Sequence, residues 1–157
     1  MRIVEGKLVG TGLRVALCVA RFNSLVTERL ERGAVDALRR HGVAESDIAI
    51  YRCAGAFELG PLVRRVAQSG RHDAVVALGA VLRGGTPHFE YVASACAASL
   101  REVAMSAPCA VSFGVLTCDD LEQAIDRAGG KAGNKGEEAA LAAIEQATLF
   151  RAIEEGA

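Results

Sequence analysis

The residues most able to do chemistry crowd into one stretch, Gly79-Ala-Val-Leu-Arg-Gly-Gly-Thr-Pro-His88-Phe-Glu90. An apolar strand end runs into Gly84-Gly85, a pair able to take backbone angles that other residues avoid. Thr86 is a good N-cap, and Pro87 suits the first helical position, where its missing N–H would be unpaired anyway. A helix starting there presents free N–H groups and the positive end of its macrodipole, a natural seat for a phosphate. The same dipole favours a neutral imidazole at His88, able to accept and return a proton, while a nearby phosphate would oppose it and leave the group poised. An anion cradle beside a proton carrier suggests chemistry on a phosphorylated small molecule. A histidine exposed at a helix start also arises by chance, so the local pattern leaves both readings open.

Other candidates are weaker one by one. Phe22, in Ala20-Arg-Phe-Asn23, reads as a helix staple or as a flat surface for a heteroaromatic ring. Glu58 follows Gly55-Ala56-Phe57 at a helix start, where acids are common for dipole reasons alone; the sharper reading is a partner for ligand hydroxyls. Arg127, near the end of a short helix, either complements that helix's C-terminal dipole or clamps a phosphate. The segment 129–136 holds Lys131 and Lys135 among glycines but lacks the Gly-Lys-Ser/Thr ending of a phosphate-binding loop, and reads as a flexible connector whose lysines reach an anion. Gly10-Thr-Gly12 precedes the first core strand, so it is no dinucleotide fingerprint.

These residues need elements to hold them. The continuous apolar run at 14–20 reads as a strand buried on both faces, and 47–53, 74–81 and 110–117 read as three further strands. Helical spacing marks 24–41 (capped by Asn23 or Ser24 and stopped by Gly42), 57–69, 87–105 and 137–153, with a short helix after Asp119 in which Asp119 and Glu122 cap reciprocally. Strict alternation predicts an α/β fold, a three-layer α/β/α sandwich on a four-stranded parallel sheet, as one domain over 1–157. Ligands of such sheets bind beyond the carboxyl ends of the strands, where Phe22, Ala56 to Glu58 and Arg83 to His88 fall, with Phe113 along strand four. Residues 1–13 lack a core pattern and read as a peripheral arm or strand.

Composition limits the function classes. With 157 residues, 51% of them hydrophobic and none Trp, the chain can bury a full aliphatic core. A formal net charge of −1 gives no sign of a nucleic-acid or anionic-membrane partner. No apolar run spans a bilayer and Met1 to Lys7 is no signal-peptide core, so a cytoplasmic location is expected. Five cysteines without a Cys-x-x-Cys pair suggest buried, reduced thiols, and three scattered histidines make a metal centre unexpected.

Taken together, Arg-Phe-Asn at 21–23, Gly-Ala-Phe-Glu at 55–58, Leu-Arg-Gly-Gly-Thr-Pro-His-Phe-Glu-Tyr-Val at 82–92, Phe-Gly-Val-Leu-Thr at 113–117, Glu-Gln-Ala-Ile-Asp-Arg-Ala-Gly at 122–129 and Lys-Ala-Gly-Asn-Lys-Gly at 131–136 resemble the 6,7-dimethyl-8-ribityllumazine synthases. The similarity runs through essentially the whole chain in order and spacing. It implies a flavodoxin-like sheet with an N-terminal arm strand. The implied reaction joins 5-amino-6-(D-ribitylamino)uracil to 3,4-dihydroxy-2-butanone 4-phosphate, releasing phosphate and water, as the penultimate step of riboflavin synthesis, with no metal or organic cofactor.

On matching positions, the resemblance implies that Phe22 stacks on the pyrimidine. Ala56, Phe57 and Glu58 contact its ribityl chain and ring, and Ala80, Val81 and Leu82 bind the uracil through main-chain groups. Gly85 and Thr86 hold the butanone phosphate, with Arg127 as clamp and Lys135 as helper, and His88 moves protons. Phe113 and Arg127 come from a neighbouring subunit of a homo-oligomer, either a pentamer or a cage of pentamers in which the arm adds a strand to a neighbour's sheet; riboflavin synthase is a further implied partner. A non-catalytic flavin-binding or shell-forming homologue is the alternative. Ala54 and Gly60 stand where the family usually has Pro, and Gly130 where Thr is common, which predicts a looser start to the second helix and a more flexible connector.

Overall fold

A continuous apolar run favours a strand covered on both faces. β1 (Val15–Ala20) is such a strand, buried at every position. It lies at the centre of a parallel sheet in the order β2-β1-β3-β4, with β2 (Ile48–Cys53), β3 (Ala74–Leu82) and β4 (Ala110–Cys118). The computed structural model describes residues 1–156; residue 157, the last of the predicted domain, lies outside the described residues. On one face of the sheet α1 (Ser24–Arg40) and α5 (Lys135–Glu154) pack on Val15, Leu17, Val76 and Leu78. On the other, α2 (Leu59–Gln68) and α3 (His88–Ser106) cover Ala16, Cys18, Val75 and Ala77. The predicted α/β/α sandwich is therefore the fold. No helix among the described residues is long and apolar enough to cross a membrane.

The ladders continue past the strand ends into the loops. Arg21 N–H donates to Cys53 C=O at 2.9 Å, Phe22 N–H to Ala54 C=O at 2.9 Å, and Arg83 N–H to Cys118 C=O at 3.0 Å. The chain is thus held in register where candidate residues leave the sheet. Helix starts differ from expectation in instructive ways. Asn23 sits at the N-cap of α1 with φ 62°, the left-handed region, and its side chain does not cap. Thr86 is not the cap of α3: Pro87 holds that place and His88 is the first helical residue. Gly84 and Gly85 do not use their conformational freedom, since neither takes a left-handed φ.

The short helix α4 (Leu121–Arg127) is capped by Asp120, which accepts from Gln123 N–H at 2.9 Å, rather than by the predicted pair of Asp119 and Glu122. Gln123 Oε1 accepts from Asp119 N–H at 3.0 Å, so the side chain three residues after the cap does reach back, to the residue before the cap. The connector expected to be flexible forms a small antiparallel hairpin, β5 (Ala128–Gly130) with β6 (Gly133–Asn134). Gly129, at the irregularity in β5, and Gly133, which opens β6, take φ 99° and 81° on either side of the turn at Lys131 and Ala132. Within the single chain the arm 1–13 makes no strand: Val4 to Lys7 lie along α5, but Gly10 N–H donates to His41 C=O at 2.6 Å and Leu13 is fully buried in the core, so the peripheral stretch ends sooner than predicted. On α5, Lys7 and Thr148 exchange hydrogen bonds of 2.8 and 2.9 Å.

Candidate functional site

Beyond the carboxyl ends of β1, β2 and β3 a cavity of about 570 Å³ opens against the start of α3. Phe22, Ala56, Phe57, Glu58, Ala80, Val81, Leu82, Thr86 and His88 all line it. Gly84 lines it as well, while Gly85 lies beside it in the same loop without forming its wall. Phe22 and Phe57 are 73% and 60% exposed, two large rings withheld from the core. Burying a Phe side chain stabilises by about 1.5–3 kcal/mol. Rings left out at the mouth of a cavity therefore mark a surface shaped for something to stack on.

Local geometry sets what each group can offer. A turn of 3-10 helix, Ala56–Glu58, leads into α2. Glu58 Oε2 accepts from Gly55 N–H at 3.0 Å while Glu58 N–H donates to Gly55 C=O at 3.2 Å, so the carboxylate is held over the turn. An ionised carboxylate has acceptor sites to spare after one such bond, and these can meet ligand hydroxyls. Asn23 Nδ2 donates to Ala80 C=O at 2.9 Å, tying the β1 exit to the β3 exit. That carbonyl was a predicted main-chain contact and already has one internal partner; its second lone pair remains for a ligand. The Cys53 thiol donates to Gly55 C=O at 3.4 Å beside the 3-10 turn, and burial, and then the Glu58 charge, pushes it up.

Phe113, Arg127 and Lys135 meet elsewhere. They line a second cavity of about 430 Å³ along β4, α4 and α5, in which Phe113 is 50% exposed. Arg127 donates to Gln123 C=O at 3.0 Å at the end of its own helix, and Lys135 pairs with Glu138 at 2.7 Å. The predicted site is thus two clusters in one chain: the stacking surface, carboxylate and histidine in one, the cations and a third exposed ring in the other.

Several wall residues escaped sequence reasoning. Asn23, weighed only as a cap, is a wall and a tether, as its left-handed φ permits. Tyr91, 73% exposed, and Val92 face the cavity because they lie three and four residues beyond His88, on the same face of α3. That spacing was the available signal. Phe89 joins them.

Comparison with known proteins bears on this arrangement. The family described as 6,7-dimethyl-8-ribityllumazine synthase matches residues 12–151. A protein of that name from Anaeromyxobacter dehalogenans (strain 2CP-C) is 65% identical over 153 residues, covering 98% of this chain and 94% of the relative. Its namesake from Anaeromyxobacter sp. (strain K) is likewise 65% identical over 98% of this chain and 94% of its own length.

Proposed function

The chain belongs to the 6,7-dimethyl-8-ribityllumazine synthase family, and we propose that its strand-end cavity condenses 5-amino-6-(D-ribitylamino)uracil with 3,4-dihydroxy-2-butanone 4-phosphate. The reaction belongs to riboflavin biosynthesis and is of transferase type. The observation that carries this assignment is the meeting of His88, Thr86, Glu58 and Phe22 in one cavity at the ends of three strands. Phe22 stacks on the pyrimidine, Ala80 to Leu82 meet its edge, and Ala56 to Glu58 hold the ribityl chain. Gly85 and Thr86 hold the phosphate.

The uracil amine attacks the butanone carbonyl, and loss of water gives an imine. A proton then leaves the neighbouring carbon and phosphate departs, giving an enol that tautomerises to the ketone. Attack by the ribitylamino nitrogen closes the ring with loss of water. His88, at the seam of the two substrates, carries the proton. Holding two substrates in register alone lowers such a barrier by about 7–11 kcal/mol, so His88 assists rather than dominates.

Phe113, Arg127 and Lys135 complete the site from a neighbouring copy. Their gathering in a second cavity on the outer side of β4, away from His88, supports this division, since one subunit's β4 edge then meets the next subunit's strand ends. A homopentamer, alone or in an icosahedral shell, satisfies that head-to-tail arrangement, and riboflavin synthase is the partner that takes up the product. Small polar substrates suit a cytoplasmic setting. Mixing the protein with both substrates should give lumazine absorbance and stoichiometric phosphate. Flavin binding without either product would instead mark a non-catalytic homologue.

A further inference from the structure

Loop 84–87, which carries the phosphate-binding positions, has little packing of its own: a Cβ built on Gly84 or Gly85 would meet nothing within 4 Å. Its order must come from its ends. Arg83 stands at one end and closes on the other. Its Nη1 donates to Glu90 Oε1 at 2.8 Å, two residues past His88, and its guanidinium carbon lies 4.4 Å from the centre of the Phe89 ring. A third contact leaves the loop altogether, Nε to Asp119 Oδ1 at 2.9 Å. Asp119 follows β4 and precedes the cap of α4, the helix that carries Arg127.

We infer that Arg83 is a positioning residue of this reaction, fixing loop 84–87 and the first turn of α3 so that the phosphate seat and His88 keep one geometry; this rests on the reading of the site given above. The side chain is 44% exposed, and exposed ion pairs add little to global stability. The value of these contacts therefore lies in where they hold the chain. A planar fork reaches two carboxylates in different directions while stacking on a ring, which a lysine ammonium cannot do. Both acids already engage the guanidinium, so it is built as a brace and not as a bare cation awaiting phosphate.

The test is steady-state kinetics with each substrate varied in turn, alongside thermal melting. In Arg83→Gln, KM for the butanone phosphate should rise about 10-fold or more, with KM for the ribitylaminouracil and the melting temperature nearly unchanged. Arg83→Lys should be no better, and Glu90→Gln/Asp119→Asn should raise the same KM. If Arg83 instead bound phosphate directly, lysine would recover most of the affinity, and removing the acids would lower KM; either result overturns the inference. So does a fall in melting temperature with both KM values moving together. Failure of the unaltered enzyme to form lumazine would refute the site reading itself, before any variant is compared.

Discussion

His88 begins α3 with its side chain in the cavity that also holds Thr86 and Glu58. General acid–base assistance is worth about 10²-fold at its lower end, and orientation supplies the larger share, so His88→Ala should slow lumazine formation about 10²-fold without abolishing it. Turnover equal to that of the unaltered enzyme would remove the proton-transfer role. Asn23 carries a different burden. It is the one non-glycine residue among those described with a positive φ, and it also bonds Ala80 C=O at 2.9 Å. Asn23→Ala both loses a hydrogen bond and forces alanine into the left-handed region, together about 2 kcal/mol. A lower urea midpoint and a raised KM for the pyrimidine should appear together; a change in neither would show that the tether is idle. The identity of His88, Phe22 and Glu58 as candidates was legible because unusual residues follow strand ends. Asn23 was not, because a left-handed residue whose side chain spans two strand exits looks in sequence like any helix cap.

Elements were legible where their hydrophobic period was unbroken. The four core strands and the long helices emerge from apolar runs and helical spacing, and their limits moved by only a few residues. What composition concealed is close packing. Gly60 in place of the family's usual Pro suggested a loose start to α2, yet it lies inside the helix, where an added Cβ would fall on the hydroxyl and, at 2.5 Å, the Cβ of Ser99 in α3. The glycine is what lets α2 and α3 approach. Gly60→Ala should therefore destabilise by about 1–3 kcal/mol through overpacking, seen as a lower urea midpoint at unchanged slope. A neutral or stabilising result would mean that the helices part without strain. Glycine composition misled at 129–136 too, where a hairpin stands in place of a flexible connector. Gly129 and Gly133, on either side of its turn, take left-handed angles that favour glycine, and a two-residue strand is too short to show alternation.

At the scale of the molecule, the end of the sheet opposite the site responds to acid. Asp73 sits there between Arg14 and Arg151. Burial alone would raise its carboxyl, but hydrogen bonds from the Arg14 backbone and side chain and from Arg151 outweigh it and hold it below the ordinary range. His72 Nε2 meets the Tyr51 hydroxyl at 3.1 Å, while its buried Nδ1 has no partner among the described residues. Burial, and then the charges of Arg71 and Arg14, push its imidazolium down. Both groups bind fewer protons folded than unfolded, so stability rises with pH through each transition. The His72 contribution is complete above about pH 6.5 and declines below it; that of Asp73 is complete above about pH 4 and is lost in stronger acid. Melting temperature should fall in two stages, the upper one absent in His72→Gln and the lower one in Asp73→Asn.

The largest property proposed for this protein that its sequence could suggest only through resemblance is shared ownership of the site, because no local pattern says which copy a side chain serves. The two cavities, His88 in one and Arg127 in the other, make it testable. Phe22→Ala/His88→Ala disables one half and Arg127→Ala the other. Unfolded together in equal amounts and refolded, the two impaired proteins should regain activity. In a head-to-tail ring each site draws one half from each of two subunits, so about one site in four would be whole. Refolding each variant alone should recover no more than the trace activity that variant already has. If the mixture is no more active than its components while light scattering shows full assembly, both halves belong to the same chain. The separation of Phe113 and Arg127 from His88 would then have to close by movement within the subunit.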